Sequence, residues 1–199
     1  YLQRKHCKWD RYQILQCYMV MGGIPFYLSL IDPRQSLVQN VDRLFFSHGG
    51  IMRGEFDELY NALFSNAELY ISVVKALAQH HDGMTRTEIS KVIGANGGTL
   101  TRVLTNLERC DFISRSQNFG CKTKDTIYRL MDFYTLFYYK FIAQDTSGDE
   151  QWWSHNFESR LVSTWQGLTF EIVCLMHTDC IKKALGISGM ATEVSSWRK

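Results

Sequence analysis

Apolar side chains at Ile14, Leu15 and Tyr18 share one helix face, and this spacing predicts a helix over 12–19. It should stop at Gly22-Gly23, where glycine readily takes a positive φ, and Pro25 suits the first turn of the next helix. Phe56, Leu59, Tyr60 and Leu63 repeat at i, i+3, i+4 and i+7. After the Ser65-Asn66 break, Leu69, Val73, Ala76 and Leu77 do much the same, so two amphipathic helices are expected. His80-His81 closes the second of them, where an imidazole suits the negative end of the dipole. Alternation typical of strands is scarce; the best runs are Phe112–Arg115 and Thr126–Leu130, which predict one hairpin around a polar loop.

Between 66 and 130 the predicted order is helix, turn at Asp82-Gly83, short helix from Thr85, glycine-rich turn, longer helix from about Thr99, then the hairpin. That is the order of a winged helix-turn-helix. Thr85 and Glu88 form a capping-box pair that fixes the start of the short helix. The turn Gly94-Ala95-Asn96-Gly97-Gly98 is expected to let the longer helix cross the shorter one closely. On the longer helix, Leu100, Val103, Leu104 and Leu107 share one arc, and Arg102, Thr105, Asn106 and Arg109 share the opposite one.

Such an outward face suits the DNA major groove, because Arg forks onto guanine, Asn pairs with adenine and Thr reaches phosphate. Arg86 at the start of the short helix, and Arg115, Lys122 and Lys124 on the wing, complete the candidate DNA-binding set. The competing reading is a solvated helix face on a protein-interaction module.

Composition narrows the classes. The 199 residues are 45% hydrophobic and 21% charged with only two prolines, which excludes a disordered or collagen-like chain. The formal net charge of +2 is too small to announce nucleic acid by itself. The basic excess lies in the first two-thirds, with six basic and three acidic residues in 1–50 and nine against six in 66–130. Six scattered cysteines without a CxxC pair and the absence of a signal-peptide pattern predict a cytoplasmic protein. The apolar run Phe133–Ala143 is far short of the roughly 20 residues that span a bilayer, so no membrane partner is expected. Tyr1 stands where Met would begin a gene, which suggests a piece of a longer protein.

Cys174, His177 and Cys180 imitate a metal-ligand spacing, but on one continuous helix each step of three residues turns about 60° from the last, so the ligands diverge. No metal site and no catalytic residue is assigned. No GxxxxGK[ST], GxSxG or GxGxxG occurs, and no cofactor is expected in this chain. The aromatic run 133–141 is read as packing, and Trp152-Trp153, after the polar 146–150 hinge, as an anchor for the next element.

Tyr18-Met19-Val20-Met21-Gly22-Gly23-Ile24-Pro25-Phe26-Tyr27-Leu28 resembles the lid of the archaeal-type and Bacteroidetes AAA-like ATPases, with Tyr18, Gly22, Gly23, Pro25 and Tyr27 on the motif. The likeness continues through 39–46, 55–60, the winged-helix segment, 127–132 and 165–171. It implies an ATPase core with ATP and Mg upstream of Tyr1, and a restriction-endonuclease-like domain opening at 167–174, where Glu171 matches a helix glutamate of that domain. The catalytic acid and Glu-x-Lys of that domain would follow Trp197.

The expected protein is therefore mainly α: a helical lid-like segment over 1–65, a winged helix-turn-helix with one β-hairpin over 66–131, and C-terminal helices over 132–199 that open a truncated nuclease-like domain. The leading function is a non-enzymatic DNA-binding and regulatory piece of an AAA-like ATPase, with duplex DNA and the upstream ATPase core as partners. The alternative is a protein-interaction module relaying the nucleotide state of that core. A third reading keeps a nuclease or phosphotransfer role.

Overall fold

The computed structural model describes residues 1–2, 4–117 and 126–191. They form two compact units, each assembled from two stretches of chain: residues 1–67 with 133–167, and residues 68–132 with 168–199.

In the first unit, α1 (Arg11–Met21) starts at a capping box in which the Asp10 carboxylate accepts from the Gln13 amide at 2.7 Å and the Gln13 side chain accepts from the Asp10 amide at 3.0 Å. It runs two residues beyond the predicted stretch and ends at Gly22, whose φ of +67° and bond to the Tyr18 carbonyl stop it as the sequence suggested. Pro25 opens α2 (Pro25–Ser29). Then come α3 (Leu37–Val41), a π-helical turn at Asp42–Phe46, and α4 (Ile51–Leu63). From the second stretch come α8 (Phe133–Phe137), a π-helical turn at Tyr138–Ile142, α9 (Trp152–Asn156) and the first part of α10 (Arg160–Met176).

The aromatic run is core, as its spacing implied. Phe133, Tyr134, Phe137 and Phe141 are buried. Tyr18 packs tilted on Phe133 at 4.8 Å, Phe56 stacks on Tyr138 at 4.1 Å, and Phe137 meets Phe45, Trp153 and Trp165 edge-on. Each such pair contributes about 0.5–1.5 kcal/mol beyond its buried area. Two buried hydroxyls of this core are satisfied: that of Tyr134 donates to the Met52 carbonyl at 2.8 Å, and that of Tyr60 bonds Thr135 at 3.1 Å, whereas the buried Trp153 indole nitrogen has no hydrogen-bond partner among the described residues. Trp153 anchors α9 as expected, and the buried Asp42 caps that helix by accepting from the Trp153 amide at 2.8 Å and from Ser154. Burial pushes the Asp42 carboxyl above its ordinary range despite those bonds.

The second unit contains α5 (Ala67–Ala78), β1 (Met84–Thr85), α6 (Arg86–Ile93), α7 (Gly97–Arg109), β2 (Ile113–Gln117), β3 (Thr126–Leu130), the last part of α10, and α11 (Thr178–Ala184). The antiparallel sheet has the order β1-β3-β2, with Met84 opposite Tyr128 and Ile113 opposite Leu130. A hairpin alone was expected; β1 adds a third strand, and two residues are too few to show alternation in a sequence. Gly83 makes that strand possible, because at φ +77° a Cβ would stand 2.7 Å from the Tyr128 carbonyl oxygen. The core is Val73, Leu77, Ile89, Leu100, Val103, Leu104, Leu107, Ile113 and Ile127. His80 stays at the end of α5, its Nδ1 bonded to the Ala76 carbonyl at 2.8 Å.

Residues 174–180 do not lie on one continuous helix: α10 ends at Met176, and His177 caps α11. Among the described residues no helix is long and apolar enough to cross a membrane, and Cys7, Cys17, Cys110, Cys174 and Cys180 are free thiols.

Candidate nucleic-acid interface

The second unit presents α7 as a helix with two faces, and its neighbours fix how it is presented. α6 begins at Thr85, whose hydroxyl accepts from the Glu88 amide at 3.2 Å while the Glu88 carboxylate accepts from the Thr85 amide at 2.7 Å. It ends at Gly94, in the left-handed region at φ +68°. The turn then enters α7 through Gly97 at φ +60°. A Cβ on Gly94, Gly97 or Gly98 would meet nothing within 4 Å. Close crossing of the two helices, expected from these glycines, is therefore not why they are needed; Gly94 and Gly97 serve backbone conformations that L side chains rarely adopt.

Leu100, Val103, Leu104 and Leu107 are buried, while Thr99, Thr101, Arg102 and Arg109 are exposed and Thr105 is half-buried. Arg102 and Arg109 are seven residues apart, so they lie on one line along the helix about 10 Å apart. At the helix start, Asn96 makes no side-chain cap, and Gly97, Gly98 and Thr99 are exposed.

Three other members of the expected set have partners inside the unit. Arg86 donates from one Nη2 to the Gly97 carbonyl at 2.8 Å and to the Thr101 hydroxyl at 3.1 Å, so it ties the start of α6 to the start of α7. Asn106 is half-buried, and its amide donates to the Tyr70 hydroxyl on α5 at 2.8 Å. Arg115 on β2 pairs with Glu108 at 2.8 Å with 64% of its side chain exposed. An exposed pair of this kind is worth only about 0.2–1 kcal/mol, so a phosphate competes with it. Lys122 and Lys124 lie outside the described residues.

The residues on which the resemblance to an AAA-like lid rests stand in the first unit and have local structural work. Gly22 stops α1, Gly23 lies under the Tyr18 ring, and Pro25 opens α2. Tyr27 is buried and donates its hydroxyl to Glu55 at 3.1 Å. Glu171 is exposed on α10, 3.8 Å from His81.

Sequence reasoning missed Thr99 and Thr101 at the exposed start of α7, where helical phase from the buried leucines would have found them. It also missed Tyr70, for which a separation of 36 residues from Asn106 leaves no local signal.

Residues 72–119 match the model of the MarR family, a stretch that runs from within α5 through α6 and α7 to the end of β2. No curated protein and no solved structure matches the chain. With three helices, a strand between the first two, and a β2-β3 wing in place, the second unit is a winged helix-turn-helix, and the stretch of it over 72–119 is similar to the MarR family.

Proposed function

We propose that this chain is a DNA-binding regulatory module and has no catalytic centre of its own. The winged-helix unit places the exposed half of α7 against duplex DNA. The observation that carries this reading is the two-faced α7, with its leucines buried and Thr99, Thr101, Arg102 and Arg109 exposed, inside a domain whose family consists of non-enzymatic DNA-binding regulators.

Arg102 supplies a fork for a guanine edge or a phosphate, and Thr105 lies one turn behind it toward the backbone. Arg109 and Arg115 serve phosphates, together with Lys122 and Lys124, which follow β2 in the sequence. Asn106 joins the interface by leaving Tyr70, or else orients α7 from behind. The test is fluorescence anisotropy on duplex DNA across a salt series. Arg102 and Arg109 lie opposite the buried leucines, so replacing both with Ala should leave the fold intact. It should lower the magnitude of the log-affinity versus log-salt slope by about 2. An unaltered chain with no salt-dependent affinity for any duplex at low ionic strength overturns the reading.

The finer reading, a C-terminal part of a cytoplasmic AAA-like ATPase that uses ATP and Mg, rests on the resemblance around residues 18–28. Its functional divisions are 1–65, 66–131 and 132–199, and Glu171 is a remnant of a nuclease-like domain. Exposed Ile24 and Phe26 in the lid motif favour the related alternative, a module that docks on the upstream core and relays its nucleotide state. The coding sequence upstream of Tyr1 tests both: a phosphate-binding loop there supports them, and its absence removes them.

A further inference from the structure

The first unit holds an open cleft of about 550 Å³ between the segment that leads into α1 and the loop that leads into α3. Its lining combines three basic side chains, His6, Lys8 and Arg34, with the flat surfaces of Trp9 and Pro33. Both walls are fixed. Lys5 donates to the carbonyls of Ser29 and Ile31 at 2.7 and 2.8 Å, and the Trp9 indole N–H donates to the Gln35 carbonyl at 3.1 Å. The buried Asn40 clamps the loop, accepting from the Asp32 amide at 2.8 Å and donating to the Asp32 and Ser36 carbonyls at 3.0 Å. The indole is thus a platform whose orientation is set before anything binds.

The charge around the cleft is positive. Arg4 and Arg11 are exposed on the same leading segment as His6 and Lys8. The acids of the two segments are occupied: Asp10 caps α1, and Asp32 holds Arg34 by two bonds at 2.9 and 3.1 Å, to Nη2 and Nε. That grip aligns the guanidinium while Arg34 stays 87% exposed.

A fixed aromatic face beside several cations, in an open groove, is the chemistry that holds unpaired bases and their phosphates, since every base has a π-face and the cations track the backbone. We propose that this cleft binds single-stranded nucleic acid, one base stacking on Trp9 and the adjoining phosphates lying against Lys8 and Arg34. This site is separate from the face of α7 and does not depend on duplex binding by the winged helix.

The test uses the full chain and a fluorescein-labelled oligodeoxythymidylate of about ten nucleotides, followed by anisotropy. Trp9→Leu should weaken binding by about 5- to 150-fold. Lys8→Ala with Arg34→Ala should lower the magnitude of the salt slope by about 1.4. Neither change should alter affinity for duplex, and Arg102→Ala with Arg109→Ala should leave the oligothymidylate affinity unchanged. Circular dichroism confirms that each variant is folded; if Trp9→Leu is not, Trp9→Phe takes its place and should retain most of the affinity. Thymidine monophosphate binding as tightly as the oligomer would make this a mononucleotide site and overturn the strand reading. Oligothymidylate binding that is absent, or that follows Arg102 and Arg109 instead of Lys8 and Arg34, overturns it outright.

Discussion

Arg86 is of a type that suits a nucleic-acid contact, yet the structure gives it partners inside its own unit. Its Nη2 spans the starts of two helices through Gly97 and Thr101, so its strongest contacts are internal. Arg86→Ala should lower stability by about 1 kcal/mol, a hydrogen bond of a charged group discounted for exposure, as read from the urea midpoint. If Arg86 positions α7, its loss should weaken duplex binding evenly across sequences and leave the salt slope unchanged. If it instead touches a phosphate, the slope should drop by about 1. Arg86→Lys should restore stability only in part, since a lysine reaches the Gly97 carbonyl without Arg's planar fork. The helical phase of Leu100, Val103, Leu104 and Leu107 already separated the faces of α7, because that information is periodic and local. The partners of Arg86, Asn106 and Arg115 were not legible, because each comes from another element and depends on tertiary distance.

At the scale of an element, α9 and the loop before it are held by carboxylates. Asp149 is kept below its usual range by the His155 ring at 2.7 Å and then by the Gln151 amide. Glu150 is kept low by the His48 amide at 3.1 Å and then by the His48 ring. At Asp145 burial raises the carboxyl, but bonds from Ser147 and Arg53 outweigh it, and the net direction is down. A carboxyl lowered in the folded state contributes stability that is present above its unfolded value, about pH 4, and is lost as pH falls through its folded value. Asp42 has the opposite sign: being raised, it favours the folded state as pH falls through its folded value. Three lowered groups face one raised group, so the net expectation is loosening of this element below about pH 4. Fluorescence of Trp152 and Trp153 along an acid titration should report it. The variant Asp149→Asn with Glu150→Gln should start less stable near neutrality and lose less between about pH 4.5 and pH 3. The polar loop before α9 was legible from composition, and Trp153 as an anchor from its bulk. The buried cap from Asp42 was not, since 111 residues separate it from the amide it accepts.

At the scale of the whole molecule, the chain enters each unit twice, so sequence neighbourhood and physical neighbourhood differ. A division at 131/132 follows from the end of the wing, where composition and periodicity change together. It does not show that 133–167 packs with 1–67, or that 168–199 belongs with the winged helix. Within that last stretch Thr169, Ile172 and Val173 are buried, and α10 itself runs from Arg160 to Met176, contributing to both units. Full burial of Ile172 and Val173 represents about 1.5–3 kcal/mol of transfer free energy for each side chain. Against a total stability of about 5–15 kcal/mol for a domain, that is a large share. The segment 66–131 made alone should therefore be less cooperative and melt lower than the same segment joined by a flexible linker to 168–191. Ile172→Ala in the joined form should remove much of the gain, because it deletes the buried side chain and leaves the helix intact. Thermal unfolding followed by circular dichroism decides the matter. Equal melting of the two forms would mean that the winged helix carries its whole core within 66–131, and that the C-terminal helices only rest on it.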